Sequence, residues 1–557
     1  MSKRSLLPCA ILVISQGASA AAPLPIVGGQ MQQISPVQTI PVERPRVGTT
    51  VNSPGAPVEV TTPVAETRLL VRRLRVTGAT LYPEADLVAL TGFQAGTELT
   101  LTDLRRMAAK IAEHYQRNGH FVAQAYLPAQ DIQDGVVDIA VIEGRYGRVS
   151  VNNQARLPDG LASSHMEGLN PGDPVASAPL EERLLLLSDV PGVTVRSTLV
   201  PGASLGASDL MVDILPGKPV TGSIDADNAG NRYTGAYRLG GTVHVNNPSG
   251  LGDMVSLRVL TSGSGLQYAR ASYQVPLGKA KVGVAYSHMR YALGREFDSL
   301  GASGTARIAS VFGNYPLVRS RNSNLYAGLA LDVKRFEDRM DTPPSHREKR
   351  AEVLMASLYG DQSGGGGTSG YSLTWSAGRL DLQGADARTT DAASARSNGH
   401  FNKLGFMANR VQSLGDTFSL YGAVQGQVAS KNLDVSEKME LGGMYAVRAF
   451  PEGEAYADQG YVLTLEARMR LQPLVTKAPG QMYFIVFVDA GAVRTHRNPW
   501  DTSANRRTLS GAGVGLNWIA ANDLVVKAYY ARKLGHDAAT SAPDRSGRFW
   551  VQLVKYF

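Results

Sequence analysis

Tyr461-Val462-Leu463-Thr464-Leu465-Glu466-Ala467-Arg468-Met469-Arg470-Leu471 alternates almost without error. Side chains of a strand switch faces at every step. Tyr461, Leu463, Leu465, Ala467, Met469 and Leu471 therefore share one face, and Val462, Thr464, Glu466, Arg468 and Arg470 the other. A strand apolar on one side and charged on the other fits a barrel with lipid outside and a wet lumen. Glu466, Arg468, Arg470 and, further on, Lys527 are the candidate lumen residues.

From Val220 onward the same rhythm recurs, broken by Gly, Asn, Asp and Ser turns. About sixteen strands are expected, near 220–229, 237–246, 253–262, 266–275, 280–292, 303–316, 323–335, 350–361, 369–382, 400–413, 417–430, 460–472, 481–494, 508–519, 523–534 and 547–557. In one of them Phe484, Val486, Val488 and Ala490 face lipid while Asp489 faces inward. In another Leu524, Val526, Ala528 and Tyr530 face out and Lys527 in. Gly278-Lys279, Leu414-Gly415 and Ala521-Asn522 read as tight turns. The stretches 336–349, 383–399, 431–459 and 495–507 read as longer polar loops. Short turns on one rim and long loops on the other suit an outer-membrane barrel.

Composition agrees. The chain has 557 residues, more than one ordinary domain, with 59 glycines and 19% charged residues, against a usual share of about 25%. After the start, no apolar run is long enough for a spanning helix, which leaves a closed barrel as the membrane option. A soluble all-β protein has the same composition. Lys3 and Arg4, the apolar stretch Leu6 to Ile14 and Ala18-Ser19-Ala20 read as a secretory leader over residues 1–20. The single cysteine, Cys9, lies within it, so disulfides, thiol catalysis and cysteine-held metals are not expected beyond it. A leader plus barrel patterning implies a Gram-negative envelope. The formal net charge of +8 comes without a dense basic run interleaved with aromatics. Nucleic acid is therefore not the expected partner. The excess suits a lumen, an acidic partner or anionic outer-membrane lipid.

Residues 21–66 are Pro-rich and read as an extended linker, with one or two turns of helix at most over Val27 to Ile34. Residues 67–144 read as an α/β module. A strand over Leu69 to Val76 precedes helices over Ala85 to Leu90 and Leu101 to Asn118, and strands over Phe121 to Leu127 and Val136 to Ile142 follow. Thr100 or Thr102 caps the second helix and Gly119 ends it. Residues 145–217 repeat the order β-α-α-β-β, with a strand over Arg148 to Asn152, helices over Leu157 to Leu169 and Leu180 to Leu187, and strands over Val193 to Val200 and Asp209 to Leu215. The barrel takes residues 218–557.

Asp489 is an acid in an otherwise apolar strand, where an unpaired carboxylate is costly. A cation is expected beside it. Arg448 is the candidate, since a guanidinium binds a carboxylate through two parallel hydrogen bonds and loop 431–459 is long enough to fold into the lumen. The plainer reading leaves Asp489 facing lumen water and Arg448 solvated.

Leu441-Gly442-Gly443 followed by Val447-Arg448-Ala449-Phe450 resembles the VRGF/Y motif of the two-partner secretion transporters, the TpsB family of haemolysin secretion/activation proteins (ShlB/FhaC/HecB-like), within the superfamily that includes BamA. Phe487-Val488-Asp489-Ala490-Gly491 resembles that family's FxDxG motif. Asp227 to Gly230 with Thr234-Gly235, Asn247 to Asp253 (NPxGxGD) and Pro276-Leu277-Gly278 resemble three further segments. The resemblance implies two periplasmic POTRA domains, a sixteen-stranded barrel, and an inward loop whose Arg448 is held by Asp489, with Gly442, Gly443, Val447, Phe450, Phe487 and Gly491 as motif support. It also implies a cognate unfolded TpsA-type exoprotein as partner, received by added strand pairing. Two departures stand out. Ala449 replaces the usual glycine and is expected to change the loop tip. The short, Pro-bounded segment near Val27 argues against the plug helix that the family often carries.

Phe557, sharing a face with Val551 and Leu553, suits insertion by the barrel assembly machinery. Asp225 to Gly230 lacks the glutamate of a calcium loop, and Gly364 to Gly367 lack the Lys-Ser/Thr of a phosphate loop. The nine histidines form no metalloprotease motif, His114 and His120 included. No nucleophile elbow appears. No enzyme, cofactor or metal is expected. A BamA-like insertase and a general pore remain the competing readings.

Overall fold

The computed structural model describes residues 25–34, 49–51, 68–472 and 480–557. The expected leader with Cys9 and most of the linker lie outside the described residues. The chain order begins with α1 (Val27–Gln32) and β1 (Thr49–Val51).

The first α/β module comprises β2 (Leu69–Val71), β3 (Arg73–Thr77), α2 (Glu84–Thr91), β4 (Thr97–Leu99), α3 (Leu101–Arg117), β5 (Gln124–Tyr126) and β6 (Val136–Ile142). Leu104, Ala108, Ile111 and Tyr115 of α3 are buried against Val137, Ile139 and Val141 of β6, as their helical spacing dictates. Thr100 caps α3 reciprocally with Asp103. The second module comprises β7 (Arg145–Asn153), α4 (Asp159–Ser164), α5 (Ser177–Ser188), β8 (Val193–Pro201) and β9 (Ala207–Pro216). Its sheet order is β1-β8-β9-β7, so linker strand β1 pairs in parallel on the β8 edge. Helix α4 is shorter than expected. Pro158 stands at its N-cap, and Gly168 adopts φ +89° beyond its end, a turn geometry that stops a helix.

Sixteen antiparallel strands close the barrel. They are β10 (Val220–Asp227), β11 (Arg238–Asn246), β12 (Met254–Thr261), β13 (Leu266–Leu277), β14 (Ala280–Ala292), β15 (Ser303–Arg319), β16 (Ser323–Asp341) and β17 (Pro344–Gly364). There follow β18 (Gly367–Leu382), β19 (Gly399–Ser413), β20 (Phe418–Ala429), β21 (Gln459–Leu471), β22 (Gly480–Arg494), β23 (Arg506–Ala520), β24 (Leu524–Lys533) and β25 (Gly547–Tyr556). Every expected strand is present. Closure runs from Ser223↔Tyr556 to Asp227↔Gln552. Tyr461, Leu463 and Leu465 lie exposed on the outer wall, while Val462 and Glu466 are buried inside. One loop expectation is corrected. Residues 336–349 continue β16 and β17 as one long hairpin, because the alternation persists there in polar form. Phe336 points in, and Arg335 and Arg339 point out.

The short-turn rim faces the second module. Arg319 binds Asp189 through two 2.7 Å hydrogen bonds, Lys279 binds Glu182, and Lys281 donates to the Asp189 carbonyl. A second correction concerns α1, which lies inside the barrel. Val27 N donates to Asp338, Gln30 accepts from Thr234, and the Gln33 carbonyl accepts from Arg238. It spans six residues, within the one or two turns expected. Gly28 and Gly29 make room for it, since a Cβ there would press on Ser436 and the Tyr456 hydroxyl.

Glu143 spans the junction between the modules. It accepts from the amides of Thr80 and Leu81, from the Thr80 and Tyr115 hydroxyls, and pairs with Arg145. Burial pushes its carboxyl up, but the bonds from Thr80, Leu81 and Tyr115 outweigh this and hold it below the usual range. The associated stability is thus present above the unfolded value of about 4.3 and is lost as pH falls through the depressed folded value. Glu143→Gln in the full chain is expected to speed amide exchange at Thr80 and Leu81 about tenfold, as the loss of a charge-assisted bond implies. Unchanged exchange would show that the junction does not depend on this carboxylate.

Candidate functional site

The connection from β20 to β21 turns back into the barrel. Leu441, Met444, Val447, Ala449 and Phe450 are buried, with Arg448, Glu452, Glu454 and Asp458. The tip is a tight local fold. Val447 N donates to Leu441 O, Phe450 N to Val447 O, and Gly443 N to Phe450 O. Gly443 has φ +111°, and a Cβ there would sit 2.5 Å from the Glu452 carboxylate.

Arg448 meets the barrel wall at this tip. Its Nε and Nη2 donate to the two oxygens of Asp489, each at 2.8 Å. Its backbone amide donates to Asp489 Oδ2 at 3.1 Å. Nη1 donates to Glu466 Oε1 at 2.8 Å. The guanidinium lies 3.4 Å from the centre of the Phe487 ring, and Trp550 Nε1 donates to the Arg448 carbonyl. Thr464 stands opposite Asp489 in the β21–β22 register and donates to it at 3.0 Å. Arg468 takes the second oxygen of Glu466 at 2.8 Å. Two carboxylates thus face two guanidiniums, and a buried charge cluster of this kind is tolerable only when each member is paired.

Arg448 and Asp489 are therefore in contact, and Glu466, expected only as a lumen residue, completes the clasp. Gly491 carries no side chain where Leu441 and Val447 pack. Phe487 fills the space over Gly513 and packs edge-on against Tyr529. Gly442 follows Leu441 under the Glu454 carbonyl. Lys527 lies part-buried on the inner face, whereas Arg470 is exposed near the end of β21. Ala449 does not distort the tip. It is absent from the left-handed backbone positions, and its methyl occupies the space left by Gly511, where a Cβ would collide with it.

The sequence reading missed the rest of the anchoring. Glu454 accepts from Thr540 and Ser541 and pairs with Arg507 at 2.5 Å. Glu437 pairs with Lys334 and Lys403, Asp434 with Lys349, and Asp458 with Lys438. Inward-parity lysines in apolar strands were the available signal. Among the described residues no cluster suited to a metal ion is present, and no helix is long and apolar enough to cross a membrane.

The family described as haemolysin secretion/activation protein ShlB/FhaC/HecB matches residues 206–518. The chain belongs to this family. The ShlB-type POTRA domain matches residues 69–144, the first α/β module. The heme/hemopexin transporter protein HuxB of Haemophilus influenzae is 27% identical over 470 residues, covering 83% of this chain and 82% of that protein. The outer membrane transporter CdiB of Dickeya dadantii is 26% identical over 469 residues, covering 80% and 79%. CdiB from Escherichia coli shares the fold, with TM-score 0.67 at 20% identity over 92% and 94% of the two chains. BamA from Haemophilus ducreyi lacking POTRA domains 1–3 does so at TM-score 0.53 and 16% identity, over 87% and 100%. The chain is thus an outer-membrane transporter of two-partner secretion with its α/β modules in the periplasm, and the insertase reading is not favoured.

Arg448→Ala leaves Asp489 and Glu466 buried without their cation. The docked loop is expected to lose about 3–5 kcal/mol, read as at least a hundredfold faster proteolysis within 431–459 of the full chain in detergent. Arg448→Lys keeps the charge, loses the two-pronged fit, and falls between. Gly511→Ala is expected to loosen the same loop, and Ala449→Gly added to it to restore the native rate. Failure of that rescue would separate Gly511 from the loop tip.

Proposed function

We propose that this chain exports one large, unfolded exoprotein across the outer membrane, and that the Arg448–Asp489–Glu466 clasp holds the resting pore shut. The carrying observation is what fills the lumen. Loop 431–459 and α1 are both tied to the wall by many hydrogen bonds and ion pairs, beside the apolar contacts of Leu441, Val447 and Phe450 in the loop and of Val27 in α1. The polar bonds are re-made with water when the inserts move, while exposure of the apolar contacts sets the cost that keeps them docked at rest.

On this reading the POTRA edges receive an extended segment of the partner by strand addition. The inward loop and α1 are displaced during passage, and folding of the partner outside supplies direction. No catalytic chemistry is assigned to the chain. The relatives are named for different transports, heme/hemopexin for one and hemolysin for another, so the partner here is defined by its export and not by its activity. Insertion of the barrel itself is assigned to the assembly machinery that reads its final strand.

The test is secretion by cells carrying single alanine variants of Arg448 and Asp489 at equal barrel levels. Each is expected to reduce export of the partner at least tenfold while other barrel proteins stay at normal abundance. Normal export by both would remove the clasp from the mechanism. Broad loss of barrel proteins would replace secretion by insertion.

A further inference from the structure

The lipid-facing wall carries one feature that secretion does not use. On β14 to β17 four basic residues stand side by side on a single rung, since His288 is paired with Arg307, Arg307 with Arg335 and Arg335 with Arg350. All four point outward. Their strand neighbours point in, as Met289, Ala306, Phe336, Lys349 and Ala351 are buried, and Lys349 reaches Asp434 of the inner loop. Arg307, Arg335 and Arg350 are exposed.

Depth is set by the neighbouring rungs. The next rung toward the periplasm holds Tyr286, Ala309 and Val333, with Glu352 on β17, and the one below that Val284, Val311, Leu331 and Leu354. The rung above holds Arg290, Thr305, Glu337 and Glu348. The basic rung is thus the first charged one above the apolar band on β14 to β16, which is headgroup level in the outer leaflet. It ends at Ala269 on β13 and at Asp381 on β18.

Like charges directly opposite each other across strands about 4.8 Å apart are destabilising. Internal compensation is partial, with Asp381 opposite Arg350 at one end of the row. Arg307 reaches Glu337 only at 3.8 Å, Glu348 is taken by His346, and Glu352, one rung lower, stands opposite Arg379. Arg335 and Arg350 form no salt bridge among the described residues. A row of guanidiniums at a membrane interface matches phosphate oxygens two at a time, and anionic headgroups lie at that depth.

We propose that His288, Arg307, Arg335 and Arg350 form a binding site for the phosphorylated saccharide headgroup of an outer-leaflet glycolipid. The arginines bind the phosphates. The acyl chains lie along Val284, Val311, Leu331 and Leu354. Glu337 and Glu348, above the row, accept hydrogen bonds from sugar hydroxyls.

The full chain in detergent is titrated with a bisphosphorylated outer-membrane glycolipid, with the same glycolipid stripped of its phosphates, and with inorganic pyrophosphate. Removing the phosphates, or making R307Q/R335Q/R350Q, is expected to weaken binding at least tenfold. Arg532→Gln, an outward cation on β24 with neutral neighbours, is expected to change nothing. Pyrophosphate at the glycolipid's concentration is expected not to compete. Should the triple variant fail to fold, Arg335→Gln alone is expected to weaken binding about threefold. Undiminished binding by the variants or by the stripped lipid overturns the site. So does an equal loss in Arg532→Gln, full competition by pyrophosphate, or a change of oligomeric state with lipid binding intact.

Discussion

A guanidinium held between two carboxylates inside a lipid-embedded wall is the constraint on which the rest depends. Asp489 is wholly buried on β22, and a carboxylate there is tolerable only with its charge answered and its oxygens bonded. Arg448, Thr464 and the Arg448 amide meet that demand. Because the answering cation sits on a loop and not on the wall, pairing forces the loop inward. The same contacts set the depth of the tip, where Arg448 reaches Asp489 and Glu466 while lying on Phe487. Such clusters add little net stability but discriminate strongly between arrangements.

Small residues on the wall complete the fit. Gly491, Gly511 and Gly513 give up their side chains where Leu441, Ala449 and Phe487 approach. The alanine at position 449 is therefore a matter of shared volume, not of backbone strain. A methyl on the loop replaces one that β23 leaves out. Wall and loop have to be read together, because neither segment alone shows why its small residue is small.

The barrel was legible because alternation is a local property. Each strand declares its two faces over a few residues, and lipid outside with water inside keeps the contrast sharp. The reading failed at 336–349, where both faces become polar above the membrane and the contrast ends before the hairpin does. At α1 it gave the one or two turns of helix but not their place in the lumen, because six residues carry too little periodicity and what holds them is tertiary. Asp338, Thr234, Arg238 and Tyr456 come from distant positions. The Arg448–Asp489 pair was legible from one misplaced acid plus a motif. Glu454 and Glu437 were not, since an acid in a polar loop is ordinary until the loop is known to be buried.

The two inserts in the lumen are not independent. Gln32 donates to the Val435 carbonyl and Gln33 to the Tyr456 hydroxyl, so α1 is bonded to the very loop that carries Arg448. Displacing α1 removes partners from both ends of that loop, and displacing the loop removes partners from α1. Groups sharing one hydrogen-bond network lose stability together and not additively. The helix continues into the linker whose strand β1 lies on the β8 edge of the second module. One covalent segment thus carries both the strand on the second module's edge and the lumen helix that is bonded to the loop of the clasp.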